Sequence, residues 1–164
     1  MKKALQIIGG SILLLVALSL PVKVAIITLI LPEEYESRTR IIPPAGAIVP
    51  REIVIIQSQW TLFPVITNLD LQKRFGRQYK VDELPVDVCY KLLQSQLKIR
   101  HDTHAELIEI VARSKYKEEA ASIANEIAKV YCRSTATTNG GATAVAKIID
   151  AAEPALRPVY PTRC

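Results

Sequence analysis

His101, Asp102 and His104 are the first residues in this chain whose types and spacing suggest chemistry. Two imidazoles three positions apart, with a carboxylate between them, could share a divalent metal. The stretch from His101 to Ala105 reads as a turn between two strands, where solvated side chains are the plainer account. Asp82, Glu83 and Asp87 gather around Pro85, which is ordinary acidity at the start of a helix. Arg38 and Arg40 share one face of an alternating segment. They could hold an anion or a neighbouring subunit's carboxylate, or simply form a solvated face. Ser134-Thr135 and Thr137-Thr138 have linker composition.

Cysteine adds little to this list. Cys89, Cys132 and Cys164 are an odd number and lack C-x-x-C spacing, so they indicate neither a disulfide framework nor a zinc site. Cys89 and Cys132 fall in helix-like patterns and read as small apolar packing residues. Cys164 reads as a free thiol. There is no Walker-type glycine loop, no G-x-S-x-G elbow and no H-E-x-x-H. The residues therefore nominate no catalytic, cofactor-binding or metal-ligating set. The reading is of a protein that is not an enzyme and needs no cofactor.

The elements that would position these residues begin with an apolar segment. Residues 4–22 are 19 consecutive uncharged positions, about 29 Å of helix, close to the hydrocarbon thickness of a bilayer. The expected domain plan has three parts. Residues 1–31 form a cytoplasmic start and a transmembrane helix, with Leu5, Ile8, Leu13, Leu14, Leu15, Val16, Leu18, Leu20, Ile26, Ile27 and Leu29 as its apolar anchor. Residues 32–153 form an extracytoplasmic α+β body, and residues 154–164 a Pro-rich tail. Lys2 and Lys3 place the N-terminus in the cytoplasm. Lys23 lies about 12 Å from Leu31 along a helix and can snorkel outward. Pro21 can kink the span.

A cleaved signal peptide is the rival, with Ala17-Leu18-Ser19 as a passable cleavage site. Cleavage there would strand Leu20 to Leu31 as an apolar arm in need of burial.

The net charge of +5 is concentrated at the front. Three of the 21 basic residues lie in residues 1–31, which hold no acidic residue, so the remaining 18 against 16 acidic residues leave only +2. That balance, without basic-aromatic interleaving, is no nucleic-acid footprint.

Beyond residue 32 the periodicity gives an order of β-α-α-α-β-β-α-β. Residues 35–42 alternate, with Tyr35, Ser37, Thr39 and Ile41 facing one way and Glu36, Arg38 and Arg40 the other. Pro43-Pro44 ends the strand. A helix is expected over 51–69, kinked or divided at Pro64, then a helical piece over 71–79 broken at Gly76. A further helix runs from Pro85 to about Gln96. Two strands, 97–101 and 106–113, form an antiparallel hairpin, with Ile108, Ile110 and Ala112 on one face. Ser114 is expected to cap a helix over 115–133 whose stripe is Ala120, Ile123, Ala124, Ile127, Val130 and Tyr131. Residues 134–143 read as a turn or linker containing Gly140-Gly141, and 144–150 as a last strand. The fold class is α+β, with helices packed on one face of a small mixed or antiparallel sheet.

Four stretches, in order, together carry a resemblance. "LPEEYESRTRI" (31–41) follows the apolar segment. "EIVIIQSQWTLFPVITNLDLQKRFG" (52–76) contains Leu62, Val65, Ile66, Leu69 and Leu71. "LKIRHDTHAELIEIVARSKYKEEAASIANEIAKVY" (97–131) contains Glu119, Ala120, Ala121, Ile123, Ala124, Asn125, Ala128 and Tyr131. "AKIIDAAEPALRPVYP" (146–161) closes the series. Together they resemble the polysaccharide chain-length determinant family, the Wzz-type polysaccharide co-polymerases. The chain resembles a short form, without the family's long helical arm, second transmembrane helix or fused tyrosine-kinase domain.

The resemblance implies a non-catalytic regulator or scaffold in the bacterial inner membrane. It would set the chain length, or assist the export, of O-antigen lipopolysaccharide, capsule or exopolysaccharide. The implied partners are other copies of the chain, the polymerase and export machinery, membrane lipid and the growing glycan. Side-by-side assembly needs complementary lateral faces, for which Glu36, Arg38, Arg40, Lys115, Lys117, Glu118 and Glu119 offer mixed charge. An envelope adaptor with no polysaccharide role, or a secreted enzyme released by signal cleavage, is the alternative reading.

Overall fold

The computed structural model describes residues 33–138 and 145–159. The expected membrane segment, the Gly140-Gly141 stretch and Cys164 lie outside them. Among the described residues no helix is long and apolar enough to cross a membrane.

The body is α+β. β1 (Tyr35–Ile42) is followed by α1 (Val49–Ile56), α2 (Gln59–Asn68), α3 (Leu71–Gln78) and α4 (Val86–Gln96). The hairpin β2 (Leu97–Asp102) and β3 (Leu107–Ser114), then α5 (Lys117–Thr138) and β4 (Lys147–Asp150), complete it. The four strands form one sheet in the order β2-β3-β1-β4, and every pairing is antiparallel. The outermost chain segments thus meet the hairpin from the other side, β1 pairing with β3.

Alternation in β1 does what the sequence implies. Ser37, Thr39 and Ile41 are buried while Arg38, Arg40 and Ile42 are exposed. On β3, Ile108, Ile110 and Ala112 join Ile41 in a core completed by Ile123, Ala124, Ile127 and Tyr131 of α5 and by Leu62, Val65 and Ile66 of α2. Each fully buried Ile or Leu contributes about 1.5–3 kcal/mol. The alanines of α5 let that helix lie directly on β1 and β3, while α2 packs across α4 and α5. Helices cover one face of the sheet, and the other carries the charges.

Several boundaries differ from expectation, each for a local reason. The helix expected over 51–69 divides at Gln57–Ser58 and not at Pro64, which sits exposed inside α2. The Ser58 and Thr61 hydroxyls both donate to the Ile55 carbonyl, at 2.6 and 2.8 Å. They satisfy the end of α1, and Ser58 takes an extended backbone before α2 begins.

Gly76 does not break α3 but lies buried within it. A Cβ there would stand 2.8 Å from the Val81 carbonyl oxygen, so glycine is what lets the following loop fold back. Lys80, at a φ of 59°, turns the chain out of that helix.

α5 runs on to Thr138, past the expected end at Arg133. Nothing in 134–138 is Gly or Pro, and the hydroxyls of Ser134, Thr135 and Thr137 donate to carbonyls of the preceding turn. Ser114 stays in β3. Its hydroxyl accepts the Tyr116 amide and donates to the Glu119 carboxylate at 2.5 Å. β4 is shorter than expected, pairs only with Arg40–Ile42, and carries a bulge at Arg40/Ile41.

The stretch from Ala152 to Val159 is tied to the body. Asn125 of α5 holds the Ala152 backbone at both ends. Its Oδ1 accepts the Ala152 amide at 2.7 Å, and its Nδ2 donates to the Ala152 carbonyl at 2.9 Å. Thr39 Oγ1 donates to the same Asn125 oxygen, Ser37 Oγ donates to the Glu153 carbonyl, and the Val159 amide donates to the Glu34 carbonyl at 2.7 Å. Side chains thus replace a ladder that prolines could not sustain, and the outer edge of β1 is covered.

Candidate functional site

Antiparallel register brings charges from three strands together on the helix-free face. Arg40 and Arg100 both lie opposite Glu109, and Arg38 lies opposite Val111, one position along the same face. Glu109 is the centre. Its carboxylate meets Arg38 at 3.6 Å, Arg40 at 3.6 Å and Arg100 at 3.7 Å. Glu109 is mostly covered, whereas the three arginines are about half exposed, at 54, 45 and 45%. Arg113 Nε donates to Glu36 Oε2 at 3.2 Å as a separate pair on the same face. Val111, fully buried yet outside the core, sits between Arg38 and Lys98 in the register. The stems of those two residues are placed to cover it.

Three guanidiniums around one carboxylate leave the cluster itself positive, an excess that Asp150 of β4, opposite Arg40 in the register, partly offsets. Screening limits the range of that field to about 8 Å at physiological salt. At the edge next to the β2–β3 turn, Arg40, Arg100 and Glu109 line an open groove of about 490 Å³ together with His101, Asp102, Thr103 and His104. Asp102 Oδ1 accepts the amides of His104 and Ala105 at 3.0 and 3.3 Å and so shapes the turn. Among the described residues no three His, Cys, Asp or Glu side chains converge as a metal site would require.

The second group of expected lateral residues lies elsewhere. Lys115, Lys117 and Glu118 are exposed at the start of α5, and Lys117 pairs with Glu118 at 3.7 Å. Glu118 is close enough to act on Tyr35, at the beginning of β1. The Tyr35 hydroxyl donates to Glu33 at 3.1 Å, and that bond, then burial, then the Glu33 and Glu118 charges raise its pKa. Glu119 is buried, its carboxylate taken by Ser114, so it presents little to a neighbour. The seven residues therefore form two surfaces and one internal contact. Asp82, Glu83 and Asp87 are exposed around the turn into α4.

Cys89 and Cys132 are not poised for chemistry. Burial raises the pKa of Cys89, with a smaller push from Glu83, and burial alone raises that of Cys132. Cys89 is buried and its Sγ faces the Leu84 carbonyl. Inside the body, the Tyr131 hydroxyl donates to the buried Glu52 carboxylate at 2.7 Å. Burial first, then that carboxylate, raise the tyrosine pKa far above its usual value.

Arg100, Glu109 and Arg113 did not stand out in the sequence. Their signal was present, since placing Ile108, Ile110 and Ala112 inward puts Glu109 and Arg113 outward. Pairing β1 against β3 was the missing step. Set beside known proteins, the chain matches no family model and no curated sequence.

Proposed function

We propose that this chain is a membrane-anchored, non-catalytic regulator or scaffold of surface polysaccharide chain length or export, acting as a homo-oligomer. Residues 1–31 cross the inner membrane with the N-terminus in the cytoplasm, and the α+β body stands on the periplasmic side. The observation that carries this reading is the hydrogen bond between the Val159 amide and the Glu34 carbonyl at 2.7 Å. Glu34, beside the strand that follows the apolar segment, and Val159, in the Pro-rich tail, therefore lie side by side. Such a body has one base, suited to a bilayer surface. The chain leading into the tail is held at Ala152 by Asn125, which lies in the "IAN" stretch that carries the resemblance.

In this reading neighbouring bodies meet laterally through exposed mixed charge away from the groove, that of Arg38 on the sheet face and of Lys115, Lys117 and Glu118 at the start of α5. A heterologous contact that closes gives a ring. The polymerase and export machinery work beside it.

Two measurements test the proposal. Deleting the gene should change the length distribution or amount of surface glycan, and an unchanged distribution points instead to an envelope adaptor. Fractionation should leave the full chain in the membrane until detergent is added. A mature chain found soluble without residues 1–19 would end the anchored reading.

A further inference from the structure

The sheet's open face holds more cationic donors than the fold itself uses. Each of Arg38, Arg40 and Arg100 carries five N–H donors in a planar fork. Their contacts with Glu109, 3.6–3.7 Å, are ion pairs longer than ordinary hydrogen bonds. Arg113 on the same face, by contrast, has closed on Glu36 at 3.2 Å. The loosely held forks of Arg40 and Arg100 open into the groove beside the β2–β3 turn. Two carboxylate residues, Glu109 and Asp102, and Thr103 line it with them.

We infer that this groove binds an acidic saccharide, its carboxylate taken by Arg40 and Arg100 and its hydroxyls by Glu109, Asp102 and Thr103. The mixture of charges selects the ligand class. A guanidinium fork matches a planar carboxylate with two parallel bonds. A compact phosphate would also be drawn to the forks, but Glu109 and Asp102 would repel its denser charge. A uronate-type sugar brings one negative charge, surrounded by hydroxyls that donate to carboxylates. An exposed groove of this kind gives weak, salt-sensitive binding that a moving polymer can leave. The glycan as source of the ligand rests on the polysaccharide reading; the chemistry of the groove does not.

Titration calorimetry on the full chain in neutral detergent tests the inference, with tetragalacturonate, maltotetraose and inorganic pyrophosphate as probes. Tetragalacturonate should bind about tenfold or more tightly than either of the others, and less well as salt rises. Arg100→Gln should weaken it about tenfold, the scale of one charge-assisted pair. Lys129→Gln, on α5, should leave it unchanged. Should Arg100→Gln fail to fold, Arg40→Gln gives the same readout. Equal binding of the acidic and neutral sugars, preference for pyrophosphate, or indifference to Arg100→Gln and Arg40→Gln would overturn the inference. Loss of the groove leaves the polysaccharide role intact if gene deletion still alters glycan length. Binding with no deletion phenotype removes that role and leaves the groove.

Discussion

The two faces of β1 use polar residues in opposite ways. On the helix side Ser37 and Thr39 are buried and spent, tying the strand to Asn125 and to the tail. On the open side Arg38 and Arg40 approach Glu109 without closing on it. Buried polar groups must find partners or cost about 1–3 kcal/mol each. Exposed ones carry no such obligation and remain available to something outside. One strand therefore shows fixed polar chemistry and free polar chemistry at adjacent positions, and the difference is solvent.

The largest effect expected from this contrast belongs to Asn125. Asn125→Ala removes the side chain that holds both backbone groups of Ala152 and leaves the Thr39 hydroxyl without its acceptor. The loss should be about 3 kcal/mol in urea unfolding. Hydrogen exchange should speed at the Ala152 and Val159 amides more than at those of β3. A cost below about 1 kcal/mol, with the tail still protected, would show that the prolines hold it by packing alone.

Much of this fold was legible in the sequence, because the apolar periods of β1, β3 and α5 survive into the structure unchanged. Ile41, Ile110 and Ile127 are buried where alternation and helical spacing put them. The errors arose where side-chain hydrogen bonds outcompeted composition. Pro64 looked like the natural break and Ser58 did not, yet the hydroxyls on Ile55 decided the boundary. Gly76 looked like a breaker but is a contact glycine, and the difference depends on a loop five residues away. The charged face was half legible. Arg38 and Arg40 stood out by alternation, whereas Glu109 and Arg100 needed a pairing register that no local pattern encodes.

A second, smaller loss should follow Tyr131→Phe, which leaves the Glu52 carboxylate buried without its donor. About 2 kcal/mol is expected at neutral pH. This deficit should itself depend on pH. In the wild type the folded-state pKa of Tyr131 is raised, so its contribution is intact below the unfolded value of about 10. Above that the unfolded chain loses the proton first, and stability falls by up to about 1.4 kcal/mol per pH unit. Phenylalanine cannot titrate, so the gap between variant and wild type should narrow above pH 10.

A decline at lower pH should precede it in both proteins. The raised thiols of Cys89 and Cys132 are fully protonated below the unfolded cysteine value of about 8.5, and stability is lost as the pH climbs past it. Urea unfolding from pH 7 to 11 would check both slopes. A gap that stays constant through pH 11 would mean that Tyr131 ionises no later in the folded state than in the unfolded one.

The open face should give the smallest changes in stability, and their signs carry the argument. Arg38→Gln removes one of three half-exposed cations that share the Glu109 carboxylate, so the fold should move by no more than about 0.5 kcal/mol. Glu109→Gln should do more, because the three guanidiniums then repel one another with no anion between them. A loss of about 1 kcal/mol at low salt, largely recovered at high salt, is expected from exposed charges at this spacing. The double variant Arg38→Gln/Glu109→Gln should be less unstable than Glu109→Gln alone, since it relieves the same repulsion. If Arg38→Gln instead cost as much as Tyr131→Phe, the arginines would be structural like Ser37 and Thr39, the two faces of β1 would not differ in kind, and nothing on this face would be free to meet a ligand or a neighbouring subunit.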